Sequence, residues 1–288
     1  MMKIALIGAN GQLGNDLIRT APSNVELFAL TRKELDITSK QNVETVLENL
    51  KPDIVINTSA YVKVDKAEEE IDEAFKVNTI GVKYLIEICQ KLKITLLHIS
   101  TDYVFDGKKG KIKEPYYEND QPNPLNVYGI SKLAGEIIIK NYLKKFYIIR
   151  VASLFGKAGA SGKGGNFVYT ILEKAKKGEP LKVIDDIIMS PTYTYDAAKE
   201  IWHIILKEKP YGIYHVTNKG FCSWYEFAVK ILEIAKIKAD IKPVKHTEFK
   251  TKAKRPLWSP LESKKGIELP PWEDALKRFI YKDLQISS

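Results

Sequence analysis

The chain has 288 residues, 44% hydrophobic and 28% charged, which excludes disordered, collagen-like and coiled-coil chains and is ample for a sizeable core. Lys and Arg outnumber Asp and Glu by 45 to 36, giving +9, yet only five of these cations are Arg. Lys interspersed with acids is the pattern of a solvated surface and argues against nucleic-acid binding, while two Cys and four scattered His offer neither a disulfide framework nor metal-ligand spacing.

In chain order, Lys3 to Gly8 reads as a strand, Leu13 to Thr20 as a helix and Val25 to Leu30 as a second strand. Ser39 is placed to cap a helix running to about Leu50. Strand three is Asp53 to Asn57, followed by one long amphipathic helix over Ile71 to Leu92. Strand four is Ile94 to Ser100, a helix covers Asn126 to Leu143, and strand five is Phe146 to Val151. Strands apolar on both faces that alternate with helices predict a parallel sheet covered on both sides. The expected fold is therefore α/β: a Rossmann-like doubly wound sheet with a smaller C-terminal α+β lobe for substrate. The lobe boundary is expected near Phe155, giving 1–155 and 156–288, with the chain returning to the first lobe around 187–216. The glycine-rich run Gly156 to Gly165 is expected to be mobile. Beyond it, helices are expected up to Lys177, over Tyr195 to Lys207 and over Ser223 to Ala235, with strands at Leu181 to Ile184 and Ile213 to Val216.

No apolar stretch approaches the length of a membrane span, and the N-terminal run is too short for a signal peptide, so the cytoplasm is the expected location. Abundant Lys, Glu and Ile with few Gln matches the habit of heat-adapted proteins. The densest basic stretch, Lys236 to Lys265, is left as a candidate for a phosphate ligand.

Strand one runs into Gly8-Ala9-Asn10-Gly11-Gln12-Leu13-Gly14. Gly8 suits a tight turn, Gly11 would let backbone N–H groups approach a pyrophosphate, and Gly14 would let the helix pack closely on the sheet. A βα turn without a ligand is the alternative. No Lys-Ser/Thr pair follows, which excludes a P-loop. Strand two ends Leu30-Thr31-Arg32-Lys33 where an acid would serve the ribose of NAD. Arg32 and a hydroxyl suit the 2′-phosphate of NADP(H), the expected preference; NAD(H) stays open because Glu34 and Asp36 follow closely. A surface charge is the alternative for Arg32.

Tyr128 and Lys132 stand four apart, on one face of a helix one turn apart. An ammonium beside a phenol favours the phenolate and lowers the phenol's pKa. A Tyr so tuned can give a proton to a carbonyl oxygen as hydride reaches the carbon. Ser100-Thr101-Asp102 follows strand four, at the carboxyl edge where open α/β sheets bind ligands. Thr101 could bond a substrate oxygen or Tyr128; a strand-ending turn is the alternative. Asn57 to Tyr61 ends strand three by the same logic and could line a cofactor.

Together these segments resemble the extended short-chain dehydrogenase/reductase superfamily, and within it the dTDP-4-dehydrorhamnose reductases. The resemblance is carried by Gly8–Gly14, Tyr61–Glu68, Ser100–Gly107, Pro124–Glu136, Gly165–Phe167, Ser190–Thr192, Gly212–His215 and Ser223–Phe227. It implies NAD(P)H-dependent reduction of the 4-keto group of a dTDP-linked 6-deoxy sugar. It further implies Tyr128, Lys132 and Thr101 as catalytic residues and Gly11, Gln12 and Leu13 at the pyrophosphate, with Asn10 also among the cofactor-binding residues. Asp36 and Ile37 would lie near the adenine, and Ser59, Ala60 and Tyr61 along the middle of the cofactor. Thr101, Asp102 and Ser153 would meet the sugar, with Arg255 a candidate for the sugar diphosphate. A homodimer is implied, sometimes with a metal ion such as Mg at the interface, for which the sequence offers no ligand set. The related dehydratases carry Thr-Asp-Glu, and Tyr103 in place of that Glu favours plain reduction. The reductases carry a Trp where this chain has Ser153, which leaves the sugar open. A non-catalytic regulatory subunit resembling that of methionine adenosyltransferase, and a nucleotide-sugar epimerase, are the alternatives on this scaffold. Asn78 is either a prop for Lys132 or a satisfied core amide, and Trp224 and Tyr225 read as core.

Overall fold

The structure is a computed structural model, and it describes residues 1–159 and 165–286; most of the glycine-rich run expected to be mobile lies outside the described residues. The first half is β1 (Met2–Ile7), α1 (Gln12–Arg19), β2 (Val25–Leu30), α2 (Lys40–Leu50), β3 (Ile54–Asn57), α3 (Val64–Ala67), α4 (Ile71–Phe75), α5 (Gly81–Leu92), β4 (Thr95–Thr101), α6 (Val127–Tyr142) and β5 (Phe146–Val151). The second half is β6 (Leu154–Phe155), α7 (Phe167–Lys176), β7 (Leu181–Ile184), β8 (Ile188–Met189), β9 (Thr192–Tyr193), α8 (Thr194–Leu206) and β10 (Gly212–His215), then β11 (Asn218–Lys219), β12 (Cys222–Ser223), α9 (Trp224–Ala235), β13 (Ile241–Val244), β14 (Leu269–Pro271) and α10 (Trp272–Arg278).

Six strands form one parallel sheet in the order β10-β5-β4-β3-β1-β2. The order reverses between β1 and β3, which opens a crevice at the carboxyl edge. Both faces are buried, as the continuous apolar strands require. On one face Leu6, Ile56, Leu97 and Ile149 pack with α1 and α8. On the other Ile7, Val55, Leu96 and Ile148 pack with α2, α5 and α6. A separate core of Phe155, Ile171, Phe227 and Phe279 joins α7, α9 and α10.

Local chemistry fixes the helix starts. The Ser39 hydroxyl accepts from the Asn42 N–H at the start of α2, and Ser223 and Glu226 cap α9 reciprocally. The single helix expected over 71–92 is instead α4 and α5 joined by a π-turn at Lys76–Ile80. The extra residue there aims the Asn78 amide at the Tyr61 backbone: Asn78 Oδ1 accepts from the Tyr61 N–H at 2.8 Å, and Nδ2 donates to Tyr61 O and to Ser131 Oγ. Asn78 is thus a satisfied core amide.

Candidate active site

The β1–α1 turn builds one wall of a cleft. Gly8 has φ of +80° and Gly14 lies under it, so that a Cβ on Gly14 would stand 2.5 Å from Gly8 O. Both positions exclude a side chain, the first by backbone conformation and the second by close approach. Beside this turn is a cavity of about 680 Å³ lined by Gly8, Asn10, Gly11, Gln12, Leu13 and Gly14, and by Arg32, Asp36 and Ile37 from the β2 end. Ser59, Ala60 and Tyr61 line its middle, and Ser100, Thr101, Asp102, Tyr128, Lys132 and Ser153 its far end. Two polar atoms on these lining residues, Gln12 Oε1 and Ser100 Oγ, are buried without a protein partner. A cleft of this length, floored by side-chain-free backbone at a helix start and holding orphaned polar atoms, fits a dinucleotide.

Arg32 is exposed, and its Nε donates to Asp36 Oδ2 at 3.1 Å. Glu34 turns away from it and accepts from the backbone N–H and hydroxyl of Thr31. Asp36 also accepts from the N–H and hydroxyl of Thr38, and these bonds hold its carboxyl below the usual range against some desolvation.

Lys132 is buried, and its Nζ donates to Ile99 O at 2.6 Å and meets His98 Nε2 at 3.2 Å. Burial pulls the ammonium down to about 8. The half-buried Tyr128 stands edge-on to Tyr103, ring centroids 5.8 Å apart. The shift of its phenol opposes the one expected from the Tyr-Lys spacing. Burial pushes it up to about 12, the Thr101 hydroxyl pulls it partly back, and Lys132 takes no part. The reason is geometric: Lys132 is committed to the β4 carbonyl and His98, so the low-polarity surroundings dominate. Thr101 Oγ1 donates to Asp102 Oδ1 at 3.0 Å. Burial raises Asp102 to about 6, opposed by bonds from Ser259 and Thr101.

A second cavity of about 780 Å³ meets the first at Tyr103, Phe167 and Trp224. Its lining includes Lys174, Lys182, His246, Phe249, Lys252, Lys254 and Arg255. Arg255 is held from across the chain by both carboxylate oxygens of Asp65, at 3.1 and 2.6 Å. Part of the basic stretch 236–265 therefore faces a cavity. Trp224, read from the sequence as core, is half-buried, lies 4.7 Å from Phe167 between ring centroids and lines both cavities; its place immediately after the Ser223 cap was the available signal. Tyr225 packs against the second-half core. Ser153, with φ of +42°, lines the first cavity. Among the described residues no group of three or more His, Cys, Asp or Glu is placed to hold a metal ion.

A family model described as "RmlD substrate binding domain" matches residues 2–285. The curated dTDP-4-dehydrorhamnose reductase of Aggregatibacter actinomycetemcomitans is 39% identical over 296 residues, covering 96% of this chain and 98% of that one. This chain belongs to the dTDP-4-dehydrorhamnose reductase family. The chain is likewise 39% identical to spore coat polysaccharide biosynthesis protein SpsK of Bacillus subtilis, over 285 residues and 97% of both chains. A solved dTDP-4-dehydrorhamnose reductase from Bacillus anthracis, in complex with NADP, superposes with a TM-score of 0.90 at 38% identity, over 98% of this chain and 100% of that one. Within such a reductase fold, the cleft described above is lined by the residues that the sequence pointed to, except Thr31 and the fully buried Asn57, which do not line it, and Arg255, which sits in the adjoining cavity.

Proposed function

We propose that the protein reduces the 4-keto group of a dTDP-linked 6-deoxy sugar with NADPH, with NADH as a second donor. The observation that carries this is the junction of the two cavities: Thr101, Tyr128 and Lys132 stand at the far end of the glycine-floored cleft, beside the mouth of a cavity lined with cations and aromatic rings. Gly8 to Gly14 would hold the pyrophosphate. Arg32 would meet the 2′-phosphate, Asp36 and Ile37 the adenine, and Ser59 to Tyr61 the middle of the cofactor. The bound nicotinamide supplies the hydride.

Tyr128 keeps its proton at neutral pH because its phenol lies near 12, so it is a donor and not a base toward the substrate carbonyl. The Thr101 hydroxyl lies beside that of Tyr128, and by turning its hydrogen away from Asp102 it would donate to the phenolate left after transfer. Lys132 would bond the nicotinamide ribose from the floor of the cleft. Asp102 and Ser153 would contact the sugar, and Arg255, Lys252 and Lys254 would neutralise its diphosphate. Trp224 and Phe167 supply, from α9 and α7, the aromatic surface that Ser153 lacks. A homodimer belongs to the same proposal, on the family resemblance, and a cytoplasmic location goes with it as the default for such a chain. The test is NADPH oxidation against a panel of dTDP-4-dehydro-6-deoxy sugars. Turnover should fall about 10²–10⁴-fold in Tyr128→Phe with NADPH binding kept. No turnover with any of the sugars, or equal turnover in the variant, overturns the reading.

A further inference from the structure

The Lys132 amine has a neighbour that the reduction does not require. His98, on β4, is fully buried on the face covered by α6, opposite Asn57 of β3 in register. Its Nδ1 lies 3.1 Å from Asn57 Nδ2, and its Nε2 3.2 Å from Lys132 Nζ. The other end of the Asn57 amide is fixed, because Oδ1 accepts from the Ser59 N–H at 3.0 Å. That bond dictates the rest of the chain. Asn57 presents its NH₂ to His98, so Nδ1 must accept and carries no hydrogen. A neutral imidazole then carries its hydrogen on Nε2, where it points at Lys132. An ammonium has no lone pair to receive it, whereas an amine does, and still has hydrogens to donate to Ile99 O.

We propose that His98 is a positioning residue for Lys132: held by Asn57 as its Nε2–H tautomer, it pairs with the uncharged amine and so adds to burial in favouring that form in the ligand-free protein. The role rests on the reading of Lys132 as a cofactor contact, but the tautomer itself does not. Charging Lys132 requires the chain to reverse. His98 must move its hydrogen to Nδ1, and the Asn57 amide must flip, which breaks its bond from the Ser59 N–H. Ser59 lines the cofactor cleft, so the charge on Lys132 and the cleft wall change together. The other titratable or charged groups around the pair are Tyr128 and Glu136 on α6, Asp102 after β4 and Arg150 on β5. Glu136 favours the ammonium, but both its oxygens already accept from Arg150, at 3.0 and 2.6 Å. Burial holds His98 well below the usual imidazole range, in keeping with a neutral ring; a charged Lys132 would push it the same way, so the ring is neutral with either form of Lys132.

The direct test is the two-bond ¹⁵N–¹H correlation spectrum of the ligand-free protein labelled in its histidines, with His98→Gln assigning the signal. His98 should be the Nε2–H tautomer at about pH 9, above the Lys132 ionisation, and Asn57→Asp, whose carboxylate accepts from Nδ1–H, should reverse it. An Nδ1–H tautomer or an imidazolium at that pH in the unaltered protein overturns the proposal. The second test follows NADPH affinity against pH in a Tyr128→Phe background, where that phenol no longer titrates. Affinity should fall as pH rises through the Lys132 ionisation, and Lys132→Met should abolish that limb. Asn57→Asp should move the limb upward by about one pH unit, tenfold in the ionisation constant. A limb unmoved by Asn57→Asp, or one that survives Lys132→Met, overturns the role given to His98. If NADPH fails to bind the unaltered protein, the proposed function falls while the tautomer still decides the His98 assignment.

Discussion

Gly14→Ala probes the floor of the cleft with a single methyl group. The added Cβ would stand 2.5 Å from Gly8 O and 2.8 Å from Ala9 O, well inside the carbon–oxygen contact distance. Neither oxygen can retreat cheaply. Gly8 O already accepts from the Gly11 N–H at 2.9 Å and from the Thr58 hydroxyl at 3.1 Å, and both atoms belong to the backbone of the turn itself. The relief is to lift α1 off β1, which disturbs the packing of Leu13 and Leu17 in the sheet core. Overpacking of this kind costs about 1–3 kcal/mol. For a chain of this size each kcal/mol is worth roughly 2–4 °C in Tm, so scanning calorimetry should show a drop of several degrees. Tilting the helix start away from the pyrophosphate should weaken NADPH by a further tenfold or more, read by fluorescence titration, since each 1.4 kcal/mol is tenfold. A variant with Tm and NADPH affinity both within error of the unaltered protein would refute the claim that this glycine is required by close approach.

Three further outcomes follow from the buried charges and the aromatic junction. Asp102 is raised from its ordinary 3.8 to about 6 by burial. The folded chain therefore binds the extra proton, and stability should fall as pH rises from about 4 to 6. Asp102→Asn should flatten that slope and gain up to about 3 kcal/mol at pH 7 in urea unfolding; an unchanged slope counts against the desolvation. Glu136→Gln leaves the buried Arg150 without its carboxylate, and should cost about 3–5 kcal/mol by the same assay. Trp224→Ala should raise KM for the nucleotide sugar at least tenfold with little change in kcat, and equal loss in both would show that the ring acts elsewhere.

The sequence was most legible where structure depends on near neighbours. Ser39 and Ser223 cap their helices because a hydroxyl three residues from an N–H needs nothing else. The Gly8–Gly14 turn is read from its spacing, and Tyr128 with Lys132 from one helical turn. Contacts that join distant segments leave no such mark. Lys132 meets His98 across 34 positions, Arg255 meets Asp65 across 190, and both are set by packing. The inverted shift of Tyr128 has the same origin. Four-residue spacing predicts an ammonium at the phenol, but β4 supplies Lys132 with better partners, and burial, which no local pattern encodes, decides the sign. The π-turn at 76–80 was likewise hidden, since its one extra residue answers to the Tyr61 backbone and not to the helix's own periodicity.

The sixth strand has a consequence for synthesis. A ribosome must release His215 before β10 can pair with β5, and α8 before Trp202 can reach Leu17 O at 3.1 Å. Until then the nascent chain carries five strands with one apolar face, Leu6, Ile56, Leu97 and Ile149, lacking one of the two helices that shield it. The part of this apolar face that α8 covers is thus open during much of the chain's translation, the period when aggregation competes with folding. A gene fragment ending after β5 would make that interval permanent.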